Sequence, residues 1–448
     1  MNLDNIHNVY FIGVGGIGMS AIANYFKSNG KNVAGYDKVP TNITKSLQHI
    51  GVEIHFEDSL DLIPLAFKNN QNTIVVYTPA VPINHSELNY FLDHNFKVLK
   101  RSEILGEITK NTKCLAVAGT HGKTTTSTIL GHILKEAEVN ATSFLGGISE
   151  NYNSNLILGG SEISVVEADE FDRSFLQLSP NIACITSMDA DHLDIYGSHS
   201  ELEKSFKEFA AKVSDTLIVR KGLPINGFTY GINESADYDA KNIRIEGGTY
   251  IFDVETPLEN IKNIQINLPG KHNVLNAVAA LAMANSLGVS LPVIAKALLT
   301  FKGIKRRFSY KIKSENSVLI DDYAHHPTEI NVVIDSVKEM YPAKKVLGIF
   351  QPHLYSRTKD FAEDFATSLA KFDELILLDI YPARELPIEG ITSNWLLRKI
   401  STEKKQVSSK ENLLANVLKS EAQIIVMIGA GDIGELVDEI KNNLSVES

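Results

Sequence analysis

Two cysteines in 448 residues, Cys114 and Cys184, are too few for a disulfide framework or a thiolate metal site. Each sits in an apolar run with no partner at metal-ligand spacing, so each reads as a small buried hydrophobe, as expected in a reducing compartment. Basic charge is also short. With 43 Lys plus Arg against 54 Asp plus Glu, the net charge of −11 argues against nucleic acid as a partner, while still allowing a local basic pocket for phosphate. Long apolar runs are missing as well. The longest helix-like one, Ala277 to Val289, is too short and too interrupted to span a bilayer, so membrane insertion is not expected. The first eight residues lack a basic segment followed by an apolar one, so no secretory signal is read and a cytoplasmic location is expected. No repeat of roughly 20 to 50 residues and no low-complexity tract is apparent.

What remains is an ordinary folded composition, 44% hydrophobic and 22% charged, in a chain too long for one core; three domains are the natural division. Short apolar runs bounded by Gly, Pro or Asp alternate with helical patterns throughout, which marks the class as α/β with mainly parallel sheets. Val9 to Ile12 reads as a strand, Gly18 to Ser28 as a helix with Ile22, Tyr25 and Phe26 on one face, and Asn32 to Tyr36 as the next strand. This is a Rossmann-like opening. A second set starts at Leu115 to Ala118 and continues at Ile163 to Val166 and Ile182 to Thr186. A third comprises Val318 to Ile320, Lys345 to Phe350, Glu374 to Asp379 and Gln423 to Ile428. The boundaries that follow are 1–106, 107–306 and 307–448, with a Rossmann-like third domain.

Two glycine-rich turns carry the chemistry. Gly13-Val14-Gly15-Gly16-Ile17-Gly18 matches G-x-G-x-x-G between a strand and a helix, where backbone N–H groups and the helix dipole favour a pyrophosphate. Asp37, ending the next strand, stands where such folds often place a ribose-binding carboxylate. Alone, this turn suggests a nicotinamide oxidoreductase, but the pyrophosphate of a UDP-sugar presents it with the same group. The second turn, Gly119-Thr120-His121-Gly122-Lys123-Thr124-Thr125, also joins a strand to a helix and reads as a P-loop. Lys123 would face the β- and γ-phosphates of ATP, and the Thr124 hydroxyl would ligate Mg²⁺. Val117 replaces the first glycine of the general motif, so the loop belongs to a variant class. Glu167 and His192, beyond the next two strands, are candidates to meet Thr124 around the metal. An oxidoreductase leaves this P-loop unexplained; an ATP-driven switch leaves the C-terminal motifs unexplained.

These residues resemble the Mur ligase family of peptidoglycan synthesis, whose loop G-T-x-G-K-T-T is Gly119 to Thr125. Several further motifs look most like the branch that adds alanine. They are Phe11 to Ser20, Glu167-Ala168-Asp169-Glu170 with Phe175-Leu176, Ala190 to Asp194, Asp321 to Glu329, and Gln351-Pro352-His353. The resemblance implies a first domain holding UDP-N-acetylmuramate through Gly13, Gly15, Gly16, Ile17, Gly18, Asp37 and Arg101. It implies ATP on the loop with His272, Asn273 and Asn276 at the adenine side, and with Arg307 and Asp322 from the third domain. Mg²⁺, with Mn²⁺ as an alternative, would sit on Thr124, Glu167 and His192. Tyr323, His325, His353 and Arg357 fall where that branch binds L-alanine. Other members carry a carbamylated lysine, but the corresponding position here is near Phe206, so that modification is not carried over.

The implied reaction activates the lactyl carboxylate as an acyl phosphate, which the alanine amine then attacks. Either His325 or His353 is a candidate to take the amine proton. Nearer alternatives are a ligase that recycles a whole murein peptide and one that adds a later amino acid. The expected assembly is a monomer or weak homodimer.

Overall fold

In the computed structural model, residues 3–189, 199–246, 248–314, 316–383 and 385–444 are described. The chain forms two compact units. One comprises Met1–Arg244, Ile251–Ile266 and Val274–Lys302; the other comprises Ile245–Tyr250, Asn267–Asn273 and Gly303–Ser448. Three sheets give a three-domain α/β architecture, with the first sheet and most of the second in the first unit and the third in the second.

The first sheet contains β1 (Asn8–Ile12), β2 (Asn32–Tyr36), β3 (Glu53–His55), β4 (Thr73–Tyr77) and β5 (Lys97–Lys100). Its order is β3-β2-β1-β4-β5 and every neighbour is parallel. All five residues of β1 are buried, as a central strand covered on both faces requires. The strand order reverses at β1, and the first glycine turn leaves the sheet there, which is where open α/β sheets form their binding crevice.

The second sheet contains β6 (Lys113–Ala118), β7 (Ala141–Ser149), β8 (Ser154–Ile157), β9 (Ile163–Ala168), β10 (Ile182–Ile185), β11 (Thr216–Arg220), β12 (Phe228–Ile232), β13 (Tyr238–Glu246), β14 (Thr249–Glu255) and β15 (Asn260–Ile266). Central β6 lies between β10 and β9, parallel to both, while β7 and β8 form an antiparallel edge. The run from β11 to β15 and this hairpin go beyond the three strands expected from sequence. The helix Ile17–Ser28 lays Met19, Ile22 and Phe26 into one core with Phe144 and Leu156 of the hairpin. Tyr25 meets Phe144 at 5.2 Å between ring centroids, and Asn155 Nδ2 donates to Ile17 O at 2.6 Å and Ser20 Oγ at 2.8 Å. These contacts fix the first glycine turn against the second sheet.

The third sheet contains β16 (Ser309–Lys313), β17 (Val318–Asp322), β18 (Val346–Phe350), β19 (Glu374–Leu377), β20 (Lys404–Val407) and β21 (Ile424–Ile428), in the order β16-β17-β21-β18-β19-β20. Only β16 runs antiparallel to its neighbour. The carboxyl ends of β17, β21 and β18 therefore lie side by side, and the loops that leave them share one edge.

Candidate active site

The P-loop is built by a helix that starts at Lys123 with Gly122 as its N-cap. Gly122 has φ +82°, and a Cβ there would fall 2.7 Å from Asn276 Oδ1, so glycine is required on two counts. The loop is tied down at the end of β10. Thr120 Oγ1 lies 2.8 Å from Ser187 Oγ, which also accepts from His121 N at 2.9 Å, and Thr186 Oγ1 donates to Ala118 O at 3.0 Å. Lys123 Nζ donates to Gly119 O at 2.6 Å and to both carboxylate oxygens of Glu170 at 2.9 and 2.7 Å. Glu170 is 1% exposed. This buried counter-ion was not assigned a role from sequence, although it is the fourth residue of the quoted Glu167–Glu170 run.

Glu167 lies within β9, one residue before its end rather than beyond it. Its carboxylate accepts from Thr124 Oγ1 at 3.1 Å, Ser127 Oγ at 3.2 Å and Gly146 N at 2.6 Å. The hydroxyl of Thr124 and the Glu167 carboxylate thus share one point beside the phosphate loop. Hard oxygen donors of this kind suit Mg²⁺, which commonly uses one or two carboxylates with phosphate and water. His192 lies outside the described residues. Among the described residues no group of three or more His, Cys, Asp or Glu side chains could hold a metal by itself. Thr125 is buried, and Asn276 Oδ1 accepts from Thr126 Oγ1 at 3.4 Å, which brings Asn276 to the loop. Phe206 is fully buried, edge-on to Phe175 at 5.3 Å, while Lys207 pairs with Glu203 at 2.6 Å.

Beside this cluster a cleft of about 370 Å³ is lined by Gly16, Ile17, Gly18, Arg101, Glu167 and Asp169 among others. Arg101 packs so close that a Cβ on Gly18 would fall 3.1 Å from its guanidinium, and its Nη2 reaches Asp169 at 3.4 Å. Asp37 is committed locally. Its carboxylate accepts from Gly15 N at 2.7 Å and from Val39 N at 3.3 Å, bracing the glycine turn that begins at Gly13.

In the second unit, the sequence-selected residues gather at the carboxyl ends of β17 and β18. His325 follows β17 and His353 follows β18, with ring centroids 5.9 Å apart and ring planes inclined at 61°. Tyr323, 44% exposed, meets His325 edge-on at 5.6 Å. Arg357 Nη1 donates to His353 Nδ1 at 3.3 Å, and the His353 ring stacks on Tyr381 at 5.7 Å. Burial, then the charges of Arg357 and His325, push His353 down to about 4. Behind Arg357, Ser356 N donates to Glu385 at 2.9 Å. Neither Tyr381 nor Glu385 carried a sequence signal, since both arrive from a loop some thirty residues away along the chain.

Asp322 shapes this edge. Its carboxylate accepts from Phe308 N at 2.6 Å and Ala324 N at 2.7 Å; burial pushes it up to about 6, against those bonds and the Arg307 charge. The two adjacent arginines have separate surroundings. Arg306, at φ +60°, donates to the carbonyls of Gly429 and Gly431, lies 3.7 Å from Asp321 and covers the Tyr323 ring at 4.9 Å. Arg307 lies close enough for its charge to act on Asp322. His272 is exposed in the first turn of the helix Lys271–Ser286, where Asn273 Nδ2 donates back to Pro269 O at 2.7 Å.

Three family models cover most of the chain: Mur ligase family, catalytic domain, on residues 8–113; Mur ligase middle domain on 117–284; and Mur ligase, glutamate ligase domain, on 306–431. A UDP-N-acetylmuramate–L-alanine ligase of Flavobacterium psychrophilum is 62% identical over 446 residues, which is 99% of both chains. The crystal structure of a UDP-N-acetylmuramate–alanine ligase from Thermotoga maritima matches with a TM-score of 0.84 at 27% identity, over 98% of this chain and 100% of that one. A murein peptide ligase from Psychrobacter arcticus shares the fold, with a TM-score of 0.69 at 23% identity over 98% of each chain.

Proposed function

The chain belongs to the Mur ligase family and is a ligase, and from that premise we propose that it joins L-alanine to the lactyl carboxylate of UDP-N-acetylmuramate in peptidoglycan precursor synthesis. The observation that carries this reading is its end-to-end identity with a relative of that activity. The Tyr323, His325, His353 and Arg357 cluster supports it.

ATP supplies the driving force. The lactyl carboxylate attacks the γ-phosphorus, ADP leaves, and the resulting acyl phosphate is attacked by the alanine amine, which expels phosphate. Lys123 offsets charge as the two anions meet, the kind of electrostatic help worth about 10² to 10³ in rate for one well-placed donor. Thr124 and Glu167, with His192, would hold Mg²⁺, which when bound polarises the transferred phosphoryl group. Arg307 and Asp322 are the contributions proposed from the C-terminal unit, and His272, Asn273 and Asn276 those for adenine. The turn of Gly13, Gly15, Gly16, Ile17 and Gly18 at the start of its helix is the seat proposed for the UDP pyrophosphate, with Gly13 N held by Tyr36 O and Gly15 N by Asp37, which brace the turn, and Arg101 facing the cleft.

Residues 1–106 are proposed to bind the UDP-sugar, 107–306 ATP, and 307–448 the amino acid. The reading places the enzyme in the cytoplasm as a monomer or weak homodimer; among the described residues, no helix is long and apolar enough to cross a membrane. The test is ADP release with UDP-N-acetylmuramate and a panel of amino acids. Alanine should support the highest kcat/KM. Turnover only with an intact peptide would point to a recycling ligase instead.

A further inference from the structure

Alanine at neutral pH is an ammonium ion, and it cannot attack a carbonyl until it loses a proton. Two imidazoles lie at the proposed amino-acid site, and the hydrogen bond each one makes fixes its tautomer. An arginine only donates. His353 Nδ1, 3.3 Å from Arg357 Nη1, must therefore be the unprotonated nitrogen, which leaves the ring proton on Nε2. A backbone carbonyl only accepts. His325 Nδ1, 3.0 Å from Tyr323 O, must therefore carry its proton, which leaves the lone pair on Nε2.

We propose that His325, through Nε2, is the catalytic residue that takes the proton from the alanine ammonium, and that His353 is a neutral positioning residue that fixes Arg357. The assignment rests on the reading of this cluster as the amino-acid site.

The surroundings of the two rings separate them further. From the helix Pro327–Met340, the Glu329 carboxylate approaches His325 Nδ1 at 3.5 Å, beside the charge that proton uptake creates, and Glu329 also accepts from His325 N at 2.9 Å. The Tyr323 and His353 rings both pack against His325, at 5.6 and 5.9 Å between centroids. The neighbouring His326 caps the same helix and packs on Phe361 at 4.6 Å. His353 instead faces the Arg357 guanidinium, with Tyr381 stacked on its ring and Glu385 beyond. A proton arriving at its only free nitrogen position, Nδ1, would meet Arg357 directly; its depressed pKa of about 4 agrees with that.

The step balances as follows. One proton passes from the ammonium to His325 Nε2, and the freed nitrogen lone pair forms the C–N bond at the acyl carbon. The C–O bond to phosphate then breaks, its electron pair leaves on phosphate, and the second amine proton departs with that group or solvent.

The test compares two nucleophiles. Hydroxylamine is largely unprotonated at neutral pH, so it traps an acyl phosphate as a hydroxamate without needing a base. His325→Gln should lower kcat for alanine by about 10² to 10⁴ and lose the histidine-governed acid limb of the alanine pH–rate profile, leaving a rate that keeps rising with pH as free amine forms. The same variant should still form hydroxamate. His353→Gln should keep the acid limb and mainly raise the alanine KM. The assignment is overturned if His325→Gln keeps both kcat and the acid limb, or if His353→Gln is the variant that loses that limb. Absence of ATP-dependent hydroxamate formation in the wild-type protein would overturn the underlying ligase reading, and the assignment with it.

Discussion

Lys123 has partners within the protein itself. Its ammonium sits 2.7 and 2.9 Å from the two oxygens of Glu170 and 2.6 Å from Gly119 O, with side-chain exposures of 16% for the lysine and 1% for the glutamate. A phosphate that takes Lys123 must compete with that carboxylate. A hydrogen bond to a charged partner is worth about 1.5 to 3 kcal/mol, so Glu170→Gln, which keeps the shape and removes the charge, should release binding free energy of that order. Each 1.4 kcal/mol is tenfold, so ATP should bind about 10- to 100-fold tighter to the variant. The nucleotide-free variant should also melt at a lower temperature, because Lys123 is then enclosed without its counter-ion, and ATP should raise its melting temperature more than that of the wild type. Isothermal titration and thermal unfolding with and without ATP read both effects. A folded Glu170→Gln protein that binds ATP no tighter than the wild type would refute the argument. The pair also changes how Lys123→Ala must be read. Removing the lysine takes the ammonium away from the buried Glu170 carboxylate, at a cost of about 3 to 5 kcal/mol in stability, in addition to the loss of ligation. Adding Glu170→Gln to Lys123→Ala should restore stability and leave ligation lost.

Three further outcomes are expected. Glu167→Gln should shift the Mg²⁺ titration of activity to higher concentration, since it alters a carboxylate 3.1 Å from Thr124 Oγ1; an unchanged titration would remove Glu167 from the metal set. Arg357→Ala should raise the alanine KM by about tenfold to a hundredfold from the loss of a charged partner worth about 1.5 to 3 kcal/mol. The KM values for ATP and UDP-sugar should move far less, and an alanine KM within about twofold of wild type would count against the role. His353 has a folded-state pKa of about 4 against 6.5 for an ordinary histidine, so between those values the unfolded chain binds more protons than the folded one. Its contribution to stability is therefore full above pH 6.5 and lost as pH falls toward 4. Asp322, raised from 3.8 to about 6, acts oppositely in an overlapping window, so the measurement is the difference between wild-type and His353→Gln unfolding curves across that range.

The fold was legible where one strand feeds one helix. β1 and β6 come from short apolar runs closed by glycine turns and β2 from one closed by Asp37, and the structure puts all three within two residues of the positions read from sequence. What escaped were the pieces whose partners are not sequence neighbours. The β7–β8 hairpin and most of the strands from β11 to β15 have mixed burial patterns without a clean period of two, and their assignment depends on the sheet they extend. Glu170 escaped for a related reason. Two glutamates three residues apart look alike in sequence, yet the twist of the chain after β9 turns Glu167 toward Thr124 and Glu170 under Lys123.

The same limit governs the C-terminal residues, and there it decides function. Arg306 and Arg307 are adjacent and identical, and only the family resemblance singled out Arg307; the left-handed backbone at Arg306 turns its guanidinium onto the carbonyls of Gly429 and Gly431, arriving from β21 more than 120 residues later. Arg306 thereby joins the start of the third sheet's unit to the loop after its last strand, while the charge of Arg307 acts on Asp322. His325 and His353 pose the same problem. Each is a histidine just past a strand end, and what separates them is a carbonyl two residues from one and a guanidinium four residues from the other. A carbonyl demands a proton on the nitrogen it faces, and a guanidinium forbids one there. Those two partners leave the imidazoles in opposite tautomers, and only one of them presents a basic nitrogen away from a fixed positive charge.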